Sequence, residues 1–90
     1  MLKFKNTKKF RKDLKRIKES GKDLNKFKMV SEKLMNQTTL EKKYHDHKLV
    51  GSYKGYRECH IEPDWLLIYY IEADCITFTA TGSHSYLFKK

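Results

Sequence analysis

Three of the four histidines in this 90-residue chain fall in one stretch, His45 to Trp65, which also contains the only proline. The same stretch holds the only tryptophan and one of the two cysteines. The fourth histidine, His84, follows in a separate motif that runs from Thr81 to Phe88. Because imidazoles gain and lose a proton near neutral pH, the two segments are candidates for a site that performs acid–base chemistry.

Four of these side chains stand at the ends of predicted strands or in the loops beside them: His47, His60, Asp64 and His84. Strand ends can meet at one edge of a small sheet and would then surround a single cleft. Such a set suits cleavage of RNA by its own 2′-hydroxyl, which requires a base, an acid and positive charge near the phosphate, and which needs no metal. Three aromatic side chains could stack an unpaired base: Trp65, Tyr86 and Phe88.

Other chemistries remain open for the same residues. A zinc site could draw on the histidines and Asp64, although their spacing matches no standard zinc motif and neither cysteine lies in a C-x-x-C pair. Cys59 beside a histidine could be a nucleophile, but the alternation of its strand points Cys59 towards the core. A single histidine is often only hydrogen-bonded, and His45 is the one for which we expect a structural role.

The first half of the chain predicts one strand and two helices. Residues 2–6 alternate apolar and polar side chains, as a short strand does. Thr7 is a plausible N-cap for a helix from Lys8 whose apolar residues recur at helical spacing, and Gly21 closes it. A second amphipathic helix starts near Asp23 and ends in the polar turn 36–39. Its expected buried stripe consists of Leu24, Phe27, Val30 and Leu34.

The second half changes to a strand-like period. Residues 49–53 and 56–61 predict two strands joined by the tight turn Lys54-Gly55, and residues 62–64 predict a turn. The apolar run 65–71 and the alternating run 76–81 predict two more strands. The order β-α-α-β-β-β-β predicts an α+β fold: a small antiparallel sheet with both helices packed on one face. We expect residues 1–90 to form a single domain.

The charge is concentrated in the first half of the chain. The formal net charge is +9, and residues 1–48 hold 16 Lys/Arg against 6 Asp/Glu, whereas residues 49–90 hold 4 against 5. This distribution predicts a polyanionic partner, either nucleic acid or an acidic protein. Early lysines interrupt any signal-like run, the longest apolar run is seven residues, and the two cysteines suggest no disulfide framework. We therefore expect a cytoplasmic protein without a membrane partner.

Several motifs resemble those of the RelE/ParE superfamily of bacterial toxins, and within it the YafQ-like mRNA endoribonucleases of type II toxin–antitoxin systems. The resemblance covers nearly the whole chain and is strongest in the string His60-x-Glu62-Pro63-Asp64-Trp65 and in Thr81-Gly82-Ser83-His84. It extends to Tyr44-x-Asp46-His47, Lys54-Gly55-Tyr56-Arg57-Glu58 and Leu87-Phe88. Lys48 departs from the proline that the family often has after its first histidine.

The resemblance implies a catalytic set and a biological setting. The family's catalytic positions are occupied here by His47, His60, Asp64, His84 and Phe88. Members of the family cut mRNA in the ribosomal A site and are silenced by a cognate antitoxin, which we expect to be acidic. We expect a metal-independent endoribonuclease without a small-molecule cofactor, in which His60 or Asp64 is the base and His84 the acid. His47 would stabilise phosphate charge, and Phe88 would stack a base.

Further contacts with RNA are expected from basic and aromatic residues near this set: Lys54, Arg57, Trp65, Tyr86, Lys89 and Lys90. Two alternatives stay open at this point. The chain could be a non-catalytic toxin of the same fold with a gyrase-type target, or it could be a nucleic-acid-binding module.

Overall fold

Two helices follow the first strand, and a local cap sets the start of each. The structure is a computed structural model that describes residues 1–88. Helix α1 spans Lys8–Glu19, and the Thr7 hydroxyl accepts a hydrogen bond from the Phe10 N–H at 3.0 Å. Helix α2 spans Leu24–Met35 behind the Asp23 cap, and Gly21, with φ +91°, makes the turn between the helices. Both predicted helices are confirmed.

Five strands form one sheet in the order β1-β5-β4-β3-β2. Their bounds are β1 Lys3–Asn6, β2 His47–Lys48, β3 Arg57–Glu62, β4 Trp65–Glu72 and β5 Cys75–Gly82. A third helix, α3, spans His84–Phe88 and follows β5 directly. The sequence pattern did not predict this helix, because five residues are too few to show a helical period.

Two details of the predicted sheet are wrong. Strand β1 pairs with β5 in parallel, whereas the other pairings are antiparallel. The strand predicted at residues 49–53 is replaced by the two-residue β2 and a 3-10 turn at Gly51–Tyr53. Gly51 has the left-handed φ of +70°, and Val50 is 84% exposed. This segment therefore forms a turn on the surface, and the extended strand is limited to the residues that precede it.

Both long helices cover the same face of the sheet. Phe10 and Ile17 of α1 and Val30 and Leu34 of α2 share one apolar core with every second residue of the strands. From the sheet the core takes Cys59, Ile61, Trp65, Leu67, Tyr69, Ile76 and Phe78. The α+β class and the placement of the helices on one face are confirmed. The opposite face of the sheet is not covered by α1 or α2. Among residues 1–88, no helix has both the length and the apolar character needed to cross a membrane.

Candidate active site

Strand β3 places a carboxylate and an imidazole side by side on the face of the sheet that the long helices do not cover. Because side chains alternate along a strand, Cys59 and Ile61 point into the core while Glu58 and His60 point to the other face. The Nε2 atom of His60 lies 3.0 Å from Oε1 of Glu58, whose side chain is 5% exposed. A carboxylate accepts this bond, so Nε2 of His60 carries the hydrogen and Nδ1 of a neutral ring is left with its lone pair.

Helix α3 brings His84 to the same place. The Ser83 hydroxyl accepts from the Tyr86 N–H at 3.2 Å, and Oδ1 of Asp64 accepts from the His84 N–H at 3.0 Å. These two bonds satisfy N–H groups of the first turn, which has no backbone partners for them. The ring centroids of His84 and His60 are 5.6 Å apart, and Nδ1 of His84 lies 3.8 Å from Oδ1 of Asp64.

An aromatic side chain borders this cluster. The Phe88 ring lies 5.7 Å from the His84 ring and 5.5 Å from the Tyr53 ring, measured between centroids. Both distances are within the range at which aromatic rings interact favourably. Phe88 is half-buried and stands one helical turn after His84, so both side chains lie on the same side of α3.

The two remaining histidines, His45 and His47, lie just before β2 and at its start. His45, expected to be structural, lies with its ring centroid 5.2 Å from that of His60 and adopts a left-handed backbone conformation with φ +47°. His47 is exposed on β2 opposite Glu58, with Nδ1 at 2.6 Å from the carbonyl oxygen of His45. Because a carbonyl can only accept, Nδ1 of His47 donates and its Nε2 remains available.

The loop that carries these histidines is held by a partly buried network of Asp46, Tyr69 and Arg57. Asp46 accepts from the Tyr69 hydroxyl at 2.6 Å, and its carboxylate also lies 3.4 Å from Nε and from Nη2 of Arg57. Burial raises the pKa of Tyr69, and the hydrogen bond to Asp46 raises it further. The Arg57 guanidinium is therefore engaged by Asp46 and Tyr69, although its side chain is 32% exposed, and its contact with RNA stays a prediction.

Other predicted RNA contacts have different outcomes. Trp65 is 0% exposed and its indole N–H donates to Thr81 Oγ1 at 2.9 Å, so the prediction that it stacks a base is wrong. Tyr86 is 40% exposed and has the Arg16 guanidinium over one ring face, 3.7 Å from the ring centroid, and its contact with RNA stays a prediction. Lys54 is exposed, as a phosphate contact requires. The predicted contacts of Lys89 and Lys90 lie outside the described residues.

Three of the clustered side chains could hold a metal ion. One ligand atom each from Glu58, His60 and His84 lies within 4.8 Å of the others, and carboxylate and imidazole donors suit a divalent transition metal.

The nucleophile hypothesis for Cys59 finds no support, because the thiol is 0% exposed and burial raises its pKa. A separate pocket of about 560 Å³ is lined by Leu49, Val50, Tyr56 and Ile71 together with Lys48, Lys54 and Arg57, and no histidine or carboxylate lines it.

Sequence reasoning gave no catalytic role to two members of the cluster, Glu58 and His45, although the zinc hypothesis had included His45. For Glu58 a signal existed, since residues two apart on a strand share a face and the pair Glu58-x-His60 was visible. For His45 there was none, because its position depends on a left-handed residue after a 3-10 turn at Lys42–Tyr44.

Comparisons with known proteins identify the family to which this chain belongs. The family model described as "Bacterial toxin of type II toxin-antitoxin system, YafQ" matches residues 2–89. The chain is 45% identical over 80 residues to the "mRNA interferase toxin YafQ" of Escherichia coli K12, covering 88% of this chain and 87% of that protein.

Two solved structures share the fold over almost their full lengths. The toxin in the E. coli DinJ-YafQ complex is 39% identical with a TM-score of 0.90, covering 98% of this chain and 99% of that one. A metal-bound toxin from Helicobacter pylori is 42% identical with a TM-score of 0.92, covering 98% and 100%. The chain therefore belongs to the YafQ family of bacterial toxins of type II toxin–antitoxin systems.

Proposed function

We propose that this chain is an endoribonuclease, an mRNA interferase that cleaves its substrate by attack of a 2′-hydroxyl on the adjacent phosphate. The observation that carries the proposal is the pair of imidazoles, His60 and His84, with ring centroids 5.6 Å apart beside two carboxylates. The name of the E. coli relative, an mRNA interferase toxin, supports the same activity.

The reaction can be written with the groups of this cluster. A base removes the proton from the 2′-hydroxyl, the 2′-oxygen bonds to phosphorus, and the bond from phosphorus to the 5′-oxygen breaks. The acid gives its proton to that 5′-oxygen, which leaves a cyclic phosphate on one product and a 5′-hydroxyl on the other. His60 suits the base, because Glu58 holds Nε2–H and leaves Nδ1 free, and His84 suits the acid. Asp64 is the alternative base.

The remaining members of the set contribute charge and stacking. The free Nε2 of His47 can donate to a phosphate oxygen when the ring is protonated, which stabilises negative charge on the phosphate. Phe88, next to His84, can stack on a base that has been separated from its neighbours. The lysines of the first half would bind RNA phosphates in a salt-dependent way, and the ribosomal A site is the setting we propose.

A metal ion is not required by this scheme. An ion bound by Glu58, His60 and His84 would occupy the imidazole lone pairs that acid–base catalysis needs, so a bound metal should compete with cleavage. The H. pylori relative is described as metal-bound, so the effect of a bound metal on cleavage should be measured for this chain. Purified protein treated with chelator and returned to buffer should retain cleavage; complete loss that added zinc restores would show that the reaction uses a metal.

The partner we propose is an acidic antitoxin. The E. coli relative has been solved in the DinJ-YafQ complex, and this chain carries a formal charge of +9. An acidic segment would find complementary charge on the lysine-rich helices. We further propose that the protein acts in the cytoplasm, where mRNA and ribosomes are found. A small open reading frame beside this gene and capture of its product in a pull-down would support the partner.

A second candidate function is a non-catalytic toxin of the same fold with a gyrase-type target. The close approach of His60 and His84 counts against it, because a non-catalytic protein has no need for paired imidazoles beside a carboxylate. Expression of the chain separates the two: shortened transcripts indicate an interferase, whereas DNA breaks with intact transcripts indicate the alternative.

The decisive test replaces groups of the cluster and measures mRNA cleavage in a translation extract. His84→Ala and Asp64→Ala should each lower the cleavage rate by about a hundredfold or more, the usual contribution of general acid–base groups. Asp74→Ala is the matched control, because Asp74 and Asp64 both occupy the second position of a two-residue turn between strands. Full activity of both Ala variants would refute the proposed roles.

A further inference from the structure

One acidic residue of α1 is buried although most of that helix is basic. Asp13 is 1% exposed and accepts from four donors on three different elements. Two of them are on α1 itself, Lys9 Nζ at 2.8 Å and Arg16 Nη1 at 3.2 Å. The other two are the Thr81 N–H of β5 at 3.2 Å and the Tyr86 hydroxyl of α3 at 2.8 Å. Asp13 therefore joins α1, β5 and α3.

The ring of Tyr86 contacts α1 and β5, in addition to the hydrogen bond made by its hydroxyl. The Arg16 guanidinium lies over the ring at 3.7 Å from the centroid, a cation–π distance. Gly82 lies close to both groups: a Cβ added there would approach Tyr86 Cδ2 to 2.8 Å and Arg16 Nη2 to 3.0 Å. The absence of a side chain at Gly82 is thus what allows the ring to lie against the end of β5.

Helix α3 is too short to be stable by itself. It has five residues, whereas isolated helices below about 12–15 residues are marginal even with favourable sequences. His84 and Phe88 lie at its two ends, and Tyr86 stands between them. The position of both side chains over the sheet therefore depends on what attaches α3 to the rest of the protein.

We propose that Asp13 and Tyr86 form a clamp that holds α3, and with it His84 and Phe88, in place beside His60. The two residues are positioning residues for RNA cleavage and take no part in the proton transfers. This inference rests on the proposed function for its effect on the reaction, but the attachment of α3 can be measured without any substrate.

The test variant is Tyr86→Phe, which removes the hydroxyl that Asp13 accepts and keeps the ring under Arg16. Hydrogen bonds to charged groups are the stronger ones, so local opening of α3 should become about tenfold more frequent. Amide hydrogen exchange of Leu87, whose N–H donates to the Ser83 carbonyl, should accelerate by the same factor. Nuclear Overhauser contacts between the rings of Phe88 and Tyr53 should weaken.

The same variant should lower kcat for mRNA cleavage by about tenfold and leave KM nearly unchanged, because the lysines that we propose bind RNA are not altered. Tyr70→Phe is the matched control: Tyr70 is also a partly exposed tyrosine, its ring centroid lies 5.4 Å from that of Tyr56, and it lies on β4 and not on α3. A global loss of stability would accelerate exchange across β4 and β5 as well as in α3.

A second pair of variants tests the geometry of the ring. Gly82→Ala should displace Tyr86 and reproduce the effect of Tyr86→Ala on exchange, and the two changes together should do little more than either alone. Unchanged exchange of Leu87 in Tyr86→Phe would overturn the clamp. Faster exchange with an unchanged kcat would overturn its role in cleavage, and an active His84→Ala would place the fault in the proposed function.

Discussion

Replacing Tyr69 with phenylalanine removes one buried oxygen and should loosen the loop that carries two histidines. Tyr69 is 1% exposed, and its hydroxyl donates to Asp46 at 2.6 Å. Asp46 stands between His45 and His47, so this bond fastens both to the sheet. The aromatic ring remains in the core after the substitution, and therefore no cavity the size of a methyl group is created.

The magnitude follows from the kind of bond that is lost. A hydrogen bond to a charged group contributes about 1.5–3 kcal/mol. Asp46 is 22% exposed and keeps its ion pair with Arg57, so the carboxylate can be partly rehydrated and the lower end applies. We expect Tyr69→Phe to lower the free energy of unfolding by about 1.5 kcal/mol, which lowers the urea midpoint by roughly 0.5–1.5 M.

The pH dependence of the free energy of unfolding is a second, independent test of the same hydrogen bond. Burial, followed by the bond to Asp46, raises the pKa of Tyr69 in the folded protein above its ordinary value of 10.0. The stabilisation is therefore fully present below pH 10 and is lost as the pH rises, because the unfolded chain ionises first. The difference in unfolding free energy between wild type and Tyr69→Phe should shrink above pH 10.

Urea unfolding and mRNA cleavage measure the two consequences. Tyr70→Phe is again the control, since it removes a hydroxyl from the next residue on the opposite face of β4. Cleavage by Tyr69→Phe should fall several-fold, because His47 is no longer fixed opposite Glu58. A loss below about 0.5 kcal/mol, the range of ordinary surface substitutions, would refute the view that Asp46 and Tyr69 anchor this loop.

Two further predictions concern other carboxylates. Glu58→Gln removes the negative charge beside Nε2 of His60, so kcat for cleavage should fall by about tenfold or more while the melting temperature changes little, and unchanged cleavage would remove Glu58 from the site. Burial alone would raise the pKa of Asp13, but hydrogen bonds from Lys9, Tyr86, the Thr81 N–H and Arg16 outweigh it and hold that pKa below its ordinary 3.8. Its stabilisation is present above pH 3.8 and lost at lower pH, so urea unfolding should show a shallower acid slope for Asp13→Asn than for wild type.

Local chemistry explains which parts of the fold could be predicted. The helix boundaries follow from Thr7 and Asp23 as caps and from Gly21 as the turn, and each acts on the few residues beside it. The direction of β1 could not be predicted in the same way, because alternation specifies a strand but not its neighbour. Val50 was assigned to a strand because it is apolar, but it is exposed and the backbone there forms no strand, since apolar residues also occur on protein surfaces.

The candidate site was predictable for residues whose place depends on strand ends, and less so for aromatic side chains. His60 and Asp64 flank one turn and His84 follows the last strand, so their convergence follows from the order of the strands. Trp65 and Tyr86 were expected at the RNA because aromatic rings stack bases, yet one fills the core and the other contacts Asp13. Residue type gives the chemistry of a ring and not the direction in which it points.

The contacts made by the carboxylates around the site suggest what these acidic residues do in so basic a chain. Glu58 holds His60, Asp64 holds the start of α3, Asp46 holds the loop with the other histidines, and Asp13 holds Tyr86. A surface selected only for binding polyanions would gain from losing such negative charges, since each one repels phosphate. Their presence in this basic chain is explained if each orients one element of the site. In this protein the lysines would bind the RNA, while the few acidic residues would set the geometry in which it is cut.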